Sequence, residues 1–526
     1  MTPLQLSRLK YALRLPKSLK ELSSISFCEH EGPKGQANHP EIAPLFKCTF
    51  NQPFLIAKHS EPKAPKALKV GAFFSGGQAP GGHNVITGLF DALKKLHPDS
   101  ELFGFLNGPA GLIEGKFIPL TEKLLLNYRN QGGFDLIGSG RTKIESDEQI
   151  ASALAQMTKL QLDGFVIIGG DDSNTNAALL AECALAKGLK TRIIGVPKTI
   201  DGDLKHPYIE TSFGFHTATA IYSELIGNIC RDALSAKKYT HFIKLMGRSA
   251  SHIALECALN TQPNLTLIGE EILKKGMTLQ QLTQQIADLV EARAHIGKNY
   301  GVILIPEGII EFIPEVKELI GELNHLLAEG KDERGLQPKS KVIFDFLPEK
   351  IQKQLLLDRD PHGNVQLSHI QTESLLSEKV KEELKGRTSF KGAFHPVHHF
   401  FGYEGRSGFP SNFDATYCYV LGHGAALLIQ EGKTGYLSSV LHLSKPPEEW
   451  ELSGVPLTSM MHFEIRKGKK KPVIQKALLD LQKAPFTWFE KEREKWRLED
   501  HYMTPGPIQF EGEQSLAFQI PKSLEF

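Results

Sequence analysis

The sequence predicts an α/β fold built on parallel strands. Short, nearly continuous apolar runs recur along the chain, and amphipathic stretches with helical spacing separate them. Turns that contain glycine or proline lie at the end of several runs. Continuous apolar strands that alternate with helices are typical of a parallel sheet covered on both faces.

Six apolar runs carry this prediction, and each is expected to form one strand. In chain order they are residues 68–74, 102–106, 164–168, 192–196, 241–246 and 301–305. The first run precedes a helical pattern marked by Val85, Leu89 and Leu93, whose spacing places them on one helix face. The fourth run ends at Pro197 and the sixth at Pro306.

Three segments depart from this alternation. Residues 1–66 are polar and weakly periodic, and we expect an extension that wraps the body of the protein. Residues 312–390 are rich in Lys, Glu and Leu and indicate helices, interrupted by a predicted hairpin turn at Asp360–Asn364. Residues 466–526 are expected to be helical or extended. The basic run Arg466–Lys471 is interpreted as a solvated loop, with a nucleic-acid contact as the alternative.

The composition excludes several classes of function. Lys and Arg total 61 against 60 Asp and Glu, so the formal net charge is +1 and no surface for nucleic acid is indicated. The six cysteines include no C-x-x-C pair, which predicts neither a disulfide framework nor a zinc site. No apolar stretch is long enough to span a membrane, and residues 1–24 lack the apolar core of a signal peptide. We therefore expect a cytoplasmic protein.

A glycine-rich turn follows the first predicted strand. Residues 75–84 read SGGQAPGGHN and precede a helix. Because glycines let backbone N–H groups approach an anion and the helix adds the positive end of its dipole, the turn predicts a phosphate site. His83 and Asn84 stand where a P-loop carries Lys and Ser or Thr, and the G-x-G-x-x-G spacing of nicotinamide-binding turns is missing. A tight turn without a ligand is the alternative.

Two carboxylates follow the third predicted strand. Asp171 and Asp172 come after a Gly-Gly pair, just before a helix. Negative charge at a place where phosphates collect requires a bridging cation, and Mg²⁺ suits the position because it takes one or two carboxylates together with water and phosphate oxygens. The alternative is that Asp172 or Ser173 caps the helix, a role compatible with catalysis.

Four further motifs complete the candidate site. Lys198 precedes Asp201 by three residues in a loop, which places a cation and a potential general base in one cleft. The other three motifs are Met246-Gly247-Arg248, Pro306-Glu307-Gly308 and Phe401–Arg406, whose arginine suits phosphate. Ligands of open α/β sheets bind beyond the carboxyl ends of the strands, so we expect these motifs to meet there.

In this order, the motifs resemble the phosphofructokinase family in its long, pyrophosphate-dependent form, over about residues 69–441. The resemblance implies two Rossmann-like α/β domains with parallel-rich sheets and an active site in the cleft between them. It also implies reversible phosphoryl transfer from diphosphate to the C1 hydroxyl of fructose 6-phosphate, with Mg²⁺ as cofactor. The diphosphate and magnesium domain would be 67–215 with 407–465, and the sugar phosphate domain 216–406 with the helical insertion 312–390.

The resemblance also implies roles for single residues. In the donor site, Asp171 would hold Mg²⁺, and the diphosphate would contact Gly76, Arg141 and Lys198. Asp201 would be the proton acceptor. The fructose 6-phosphate site would consist of Thr199, Ile200, Asp201, Met246, Gly247, Arg248, Glu307, Tyr403, Glu404, Gly405 and Arg406. Lys238 and Tyr239 match positions that reach the site of the neighbouring subunit, which implies a homodimer.

Two positions bear on the identity of the phosphoryl donor. ATP-dependent relatives usually carry glycine where this chain has Asp172, and often where it has Lys198. A carboxylate at 172 fills space and repels the α-phosphate of a nucleotide, whereas Lys198 offers a charge to the transferring phosphoryl group or the departing phosphate. Both residues favour diphosphate and are catalytic candidates. An ATP-dependent enzyme and a catalytically silent regulatory subunit remain the alternatives.

Overall fold

The computed structural model describes residues 1–30, 40–357, 365, 369–466 and 469–508. The hairpin turn predicted at Asp360–Asn364 lies outside the described residues, as does the last part of the predicted C-terminal segment, 509–526.

Strands and helices alternate along most of the described chain. The strands are β1 (Ile25–Glu29), β2 (Leu55–His59), β3 (Lys69–Ser75), β4 (Glu101–Phe105), β5 (Phe117–Pro119), β6 (Ser139–Gly140), β7 (Gly164–Gly169), β8 (Arg192–Pro197), β9 (Thr240–Leu245), β10 (Leu265–Thr266), β11 (Gly301–Pro306), β12 (Pro396–Phe401), β13 (Tyr436–Leu441), β14 (Glu451–Pro456), β15 (Met461–Arg466) and β16 (Lys469–Ile474). The α-helices are α1 (Pro3–Lys10), α2 (Gly82–Leu96), α3 (Pro109–Glu114), α4 (Glu122–Leu125), α5 (Asp147–Lys159), α6 (Asp171–Ala186), α7 (Phe215–Ala236), α8 (His252–Thr261), α9 (Gly269–Lys275), α10 (Leu279–His295), α11 (Pro314–Ala328), α12 (Pro338–Phe346), α13 (Glu349–Leu357), α14 (Thr372–Gly386), α15 (Tyr403–Ser407), α16 (Asn412–Gln430) and α17 (Ala484–Leu498).

The larger sheet has a parallel centre and antiparallel edges. Its order is β1-β2-β14-β13-β8-β7-β3-β4-β5, and β6 also pairs with β3. Neighbours from β13 to β4 run parallel, whereas β5 on one side and β14, β2 and β1 on the other pair antiparallel. In β3, Val70, Ala72 and Phe74 pack in one apolar cluster and Phe73 in another, so this central strand is covered on both faces.

The smaller sheet is parallel throughout its described strands, in the order β10-β11-β9-β12. The predicted α/β class with two mostly parallel sheets is therefore confirmed. All six predicted strands are present, as β3, β4, β7, β8, β9 and β11. Strand β12 was not predicted, because its sequence, PVHHFF, places two histidines at the edge of the sheet instead of an apolar run.

The N-terminal segment takes part in the larger sheet. Strand β2 pairs antiparallel with β14, with Ile56 opposite Ser453, and β1 pairs with β2. The carboxylate of Glu431 accepts hydrogen bonds from the Phe27 backbone N–H and the Ser26 hydroxyl, both at 2.8 Å. Polar residues 1–66 therefore extend the larger sheet by two strands, with β1 at its edge and β2 between β1 and β14.

Helices α11 to α14 lie in the segment that was predicted to be helical. Their apolar faces pack together with β11 and α10 around one cluster. A buried ion pair also joins this segment to β9, since the Lys244 Nζ is 3.4 Å from the Glu373 carboxylate and donates to the Ile370 carbonyl at 2.9 Å.

The basic run Arg466–Lys471 is not a solvated loop where the structure describes it. Its described residues, Arg466 and Lys469–Lys471, belong to β15 and β16, which pair antiparallel. Lys470 pairs with Glu41 and Lys471 with Glu145, so both ammonium groups form ion pairs with carboxylates of the same chain. No helix in the described ranges combines the length and the apolar character needed to cross a bilayer.

Candidate active site

Three of the predicted motifs meet at one edge of the larger sheet. Strands β8, β7 and β3 are parallel neighbours, with Gly169 opposite Pro197 and Ile168 opposite Phe74. The glycine-rich turn, the Asp171–Asp172 pair and the Lys198 loop follow these three strands. The Ser173 hydroxyl at the start of α6 donates to the Ser75 hydroxyl at the end of β3, at 2.8 Å, which fixes the first two motifs together.

Two cations lie against the glycine-rich turn. The ammonium of Lys198 donates to the Gly77 carbonyl at 2.8 Å. A Cβ on Gly77 would be 2.4 Å from Arg406 Nη1, and one on Gly76 would be 3.1 Å from Lys198 Nζ. Gly76 also has φ of 84°, a backbone conformation that favours glycine. The turn therefore requires glycine because charged side chains approach its backbone.

Lys198 and Arg406 together make this turn electropositive. Lys198 is only 6% exposed. Burial, followed by the neighbouring Arg406 cation, lowers the pKa of Lys198 to about 7. Arg406 Nε is buried and has no hydrogen-bond partner among the described residues. An anion placed between these two groups would relieve both the repulsion and the missing hydrogen bond.

Asp171 is the first residue of α6, and the N-cap position is Gly170, which has no side chain to cap the helix. The alternative in which Asp172 or Ser173 caps this helix is therefore wrong. Ser173 bonds to β3 instead. A carboxylate in the first turn is stabilised by the helix dipole and remains available to a ligand on its other side.

Asp172 lies at the rim of the site and is half exposed. Its carboxylate is 3.6 Å from the Lys143 ammonium, which in turn is 3.7 Å from Glu145. Lys143 follows β6 and lies two residues after Arg141. Arg141 is exposed, and its positive charge contributes to lowering the pKa of Lys198. The larger-sheet side of the cleft thus carries alternating charges from its buried floor to its rim.

The loop after β8 brings two more carboxylates to the cleft. The backbone N–H of Asp201 donates to the Thr199 hydroxyl at 3.1 Å, and Ile200 packs in the core below the loop. Asp201 Oδ1 is buried without a hydrogen-bond partner among the described residues. Asp203 is 5% exposed, and burial together with the charge of Asp201 raises the pKa of Asp203. An unpaired carboxylate oxygen of this kind is available to accept a proton from a bound hydroxyl.

The smaller sheet supplies the motifs that follow β9 and β11. The Gly247 N–H donates to the buried Glu307 carboxylate at 3.0 Å, and burial raises the pKa of Glu307. A Cβ on Gly308 would be only 1.8 Å from the Arg248 carbonyl oxygen, so glycine is needed where these loops touch. Met246 is buried, whereas Arg248 is exposed.

Residues Tyr403 to Arg406 form the short helix α15 after β12. Glu404 accepts a hydrogen bond from the Gly402 N–H at 2.9 Å, which stabilises the turn that leads into α15. A Cβ on Gly405 would be 2.4 Å from the Tyr222 ring, and Tyr403 is 71% exposed. Of the four residues, Arg406 is the one that reaches the glycine-rich turn.

Lys238 and Tyr239 do not join this cleft within one chain. They precede β9, whereas Met246 follows it, and six residues of strand separate the two ends by roughly 20 Å. The Lys238 ammonium lies over the Tyr239 ring, 4.9 Å from its centroid.

The residues present fit a magnesium ion that shares its coordination with a ligand. No group of three or more His, Cys, Asp or Glu side chains is arranged to hold a metal within the described ranges. Asp171 and Asp203 nevertheless place hard oxygen ligands at the donor side, and both act on the same lysine, Lys476. Mg²⁺ is commonly bound by one or two carboxylates together with water and phosphate.

Sequence reasoning missed Lys143 and Lys476. Lys476 Nζ lies 3.8 Å from Asp171 Oδ2. Burial opposes the charge on Lys476, but the carboxylates of Asp171 and Asp203 outweigh it and raise the pKa of the ammonium. Lys143 sits two residues after Arg141 and could have been found from that spacing. Lys476 follows a distant hairpin and has no local signal.

Comparisons with known proteins agree with this arrangement. Residues 69–429 match the family model described as phosphofructokinase. Over 97% of its length, and 91% of the relative, the chain is 54% identical to pyrophosphate–fructose 6-phosphate 1-phosphotransferase subunit beta 2 of Arabidopsis thaliana. Over 90% of its length, and 88% of the relative, it is 52% identical to pyrophosphate–fructose 6-phosphate 1-phosphotransferase of Treponema pallidum.

A solved structure shares the fold at low sequence identity. The crystal structure of a pyrophosphate-dependent phosphofructokinase from Nitrosospira multiformis aligns with a TM-score of 0.56 and 16% identity, covering 83% of this chain and 93% of that one. The architecture and the match over most of the chain lead to one assignment. The chain belongs to the phosphofructokinase family.

Proposed function

We propose that this protein transfers a phosphoryl group from inorganic diphosphate to the C1 hydroxyl of D-fructose 6-phosphate, giving fructose 1,6-bisphosphate and phosphate in a reversible reaction. The observation that carries the proposal is the convergence of Lys198 and Arg406 on the Gly76–Gly77 turn, where two cations lie against a glycine backbone. The names of relatives more than 50% identical describe the same reaction.

Phosphoryl transfer needs positioning and neutralisation of charge, because the transition state is loose and spreads charge over the phosphoryl oxygens. The Gly76 turn and Lys198 hold the diphosphate, with Arg141 at the edge. Lys198 then stabilises the transferring phosphoryl group or the departing phosphate. Asp201 accepts the proton of the C1 hydroxyl as that oxygen attacks, using its Oδ1, which has no hydrogen-bond partner in the part of the chain that the structure describes.

Asp172 selects diphosphate as the donor. Its carboxylate stands at the rim, half exposed and next to Lys143. A nucleotide would bring its α-phosphate and ribose toward this rim, where the carboxylate repels it, whereas diphosphate has no such group. The role of Lys143 is to orient the Asp172 carboxylate through their ion pair.

Asp171 is the residue that would hold Mg²⁺. The ion, when bound, neutralises negative charge on the diphosphate oxygens and orients them. The other requirements of the donor are met by the chain itself, through the glycine-rich turn and its two cations.

The sugar phosphate lies against the loops of the smaller sheet. Arg248 binds its phosphate, and Tyr403 closes over it from α15, whereas Arg406 extends from the same helix to the glycine-rich turn of the donor site. Glu307 fixes the Gly247 backbone and so shapes the loop that carries Arg248. Thr199, Ile200, Met246, Glu404 and Gly405 complete the walls.

A second copy of the chain completes the site. Lys238 and Tyr239 lie at the opposite end of β9 from the cleft of their own chain, and we propose that they serve the cleft of the neighbour in a homodimer. We also propose a cytoplasmic location for the protein.

The decisive experiment measures turnover of fructose 6-phosphate with diphosphate and with ATP in parallel, under the same Mg²⁺ concentration. We expect turnover with diphosphate and little with ATP. ATP turnover without diphosphate turnover would reject the donor assignment. Binding of fructose 6-phosphate by calorimetry with neither donor turned over would indicate a regulatory subunit.

A further inference from the structure

Residues 474–479, here called the C-terminal strap, cross from one side of the cleft to the other. On the donor side, the Ile474 N–H donates to the Thr175 hydroxyl on the first turns of α6, at 3.0 Å. The Ala477 N–H donates to the Asp203 carbonyl at 2.7 Å. The strap is therefore hydrogen-bonded both to helix α6, which begins with Asp171, and to the loop that carries Asp201 and Asp203.

The same strap is bonded to the side of the smaller sheet. His252 Nε2, at the start of α8, donates to the Ala477 carbonyl at 2.9 Å. The Leu479 N–H donates to the buried carboxylate of Glu270 in α9, at 2.9 Å. A segment with backbone hydrogen bonds to both sides places the side chains between its anchor points at fixed positions in the cleft.

Lys476 is the charged side chain that the strap brings into the cleft. Its Nζ donates to the Ser249 hydroxyl at 3.0 Å and lies 3.8 Å from Asp171 Oδ2. Ser249 follows Arg248 of the proposed sugar site, and Asp171 begins α6 in the donor site. The ammonium therefore stands at the junction of the two subsites, where it feels the charges of Asp171, Asp203, Arg248 and Asp201.

We propose that Lys476 is a further catalytic residue, whose ammonium binds the phosphoryl group that passes from diphosphate to the sugar. This inference rests on the proposed function, because it names a residue for that reaction. The transferred group must lie where the donor and acceptor subsites meet, and Lys476 is anchored there from both sides. Three carboxylates face that point, so a cation is needed for a polyanion to approach them.

Lys476→Met tests the proposal, because it removes the charge and retains most of the length of the side chain. We expect the dissociation constant of methylenediphosphonate, a diphosphate analogue that is not cleaved, to rise about 10-fold, as expected for loss of one hydrogen bond to a charged group. We expect kcat/KM for diphosphate to fall by at least as much, because the contact strengthens in the transition state. Lys476→Arg should restore part of both.

The matched control is Lys470→Met, on the same hairpin, whose ammonium pairs with Glu41 away from the cleft. It should leave both quantities within about twofold of the parent values, as expected for an exposed ion pair. Fructose 6-phosphate binding, titrated on the same preparations, separates lost contact from lost folding. If Lys476→Met weakens both ligands equally, or leaves analogue binding unchanged, the proposal is overturned.

The parent protein separates this inference from the proposed function. Absence of diphosphate-dependent turnover in the parent would contradict the function, whereas turnover in the parent that is unaltered by Lys476→Met would contradict only the role of Lys476.

Discussion

The two sides of the cleft present their cations differently. On the larger sheet, Lys198 is buried, donates a hydrogen bond to a backbone carbonyl and is repelled by the nearby Arg406 cation. On the smaller sheet, Arg248 is exposed, and it is the backbone around it that is fixed, through Gly247 and Glu307. The side proposed to bind the donor is thus organised before ligand binding, with two repelling cations close together, whereas the side proposed to bind the acceptor holds a solvated charge on a rigid loop.

Asp201→Asn should give the largest effect, because the role proposed for this residue, acceptance of the C1 hydroxyl proton, lies in the chemical step. We expect kcat to fall about 10²–10⁴-fold, the usual contribution of a positioned general base, while the KM values for both substrates change much less. Steady-state kinetics in both directions measures this. A loss below about 10-fold would remove Asp201 from the role of proton acceptor.

Lys198→Met tests the buried side of the comparison. We expect kcat/KM for diphosphate to fall about 10²-fold or more, in the range seen when one preorganised donor to a developing charge is removed. The variant also relieves repulsion with Arg406, so its midpoint of thermal unfolding should not decrease. If Lys198→Met weakened the binding of diphosphate and of fructose 6-phosphate equally in titrations, Lys198 would not belong to the diphosphate side alone, and the comparison would be contradicted.

The pH dependence of kcat/KM for diphosphate also tests the buried cation Lys198. In the free enzyme Lys198 is protonated below about pH 7 and becomes neutral above it. The protonated form attracts the diphosphate, so kcat/KM for diphosphate should fall by up to about 10-fold per pH unit above 7. Lys198→Arg, which stays charged, should lose this falling limb, and the limb should also be missing from fructose 6-phosphate binding. A limb that survives in Lys198→Arg belongs to another group.

Asp172→Gly probes the rim of the donor side. Removing the carboxylate should lower kcat/KM for diphosphate about 10-fold and allow measurable turnover with ATP, because the repulsion of the α-phosphate is lost. Parallel assays with the two donors measure the ratio. Lys143→Met is the companion variant, and it should reduce diphosphate preference less, since it leaves the carboxylate in place. An unchanged donor ratio in Asp172→Gly would contradict the proposed selection.

Arg248→Met tests the exposed side and should have the smallest effect. Because its charge is solvated before binding, we expect the KM for fructose 6-phosphate to rise roughly three- to tenfold, with the KM for diphosphate unchanged. Initial rates with each substrate varied in turn give both values. A larger effect on diphosphate than on the sugar would reverse the assignment of the two sides.

Local sequence patterns were enough to predict the central strands and the loops at their ends. Strands such as β3 and β7 are buried on both faces, so their apolar runs are continuous and the following turns stand out. Strand β12 lies at an edge and carries histidines, and β1 and β2 come from a polar segment, so their pairing depends on distant partners.

The same distinction holds within the site. Gly76, Asp171 and Lys198 lie in short motifs directly after strands, which made them visible. Lys476 reaches Asp171 across about 300 residues of sequence, and only the docking of a hairpin on α6 brings them together. The capping alternative for Asp172 was wrong because α6 begins one residue earlier, at Asp171 after Gly170.

The buried pair between Lys244 and Glu373 limits how this chain can be shortened. Lys244 lies inside β9, with its side chain 3% exposed and its ammonium 4.4 Å from the centre of the Phe400 ring. Excising helices α11 to α14 would remove the carboxylate and the carbonyl that bind this ammonium, and it would expose the apolar side chains of α10 and β11 that these helices cover. The helical segment is therefore not a removable cassette, and a minimal enzyme would need polar replacements on the uncovered faces of α10 and β11.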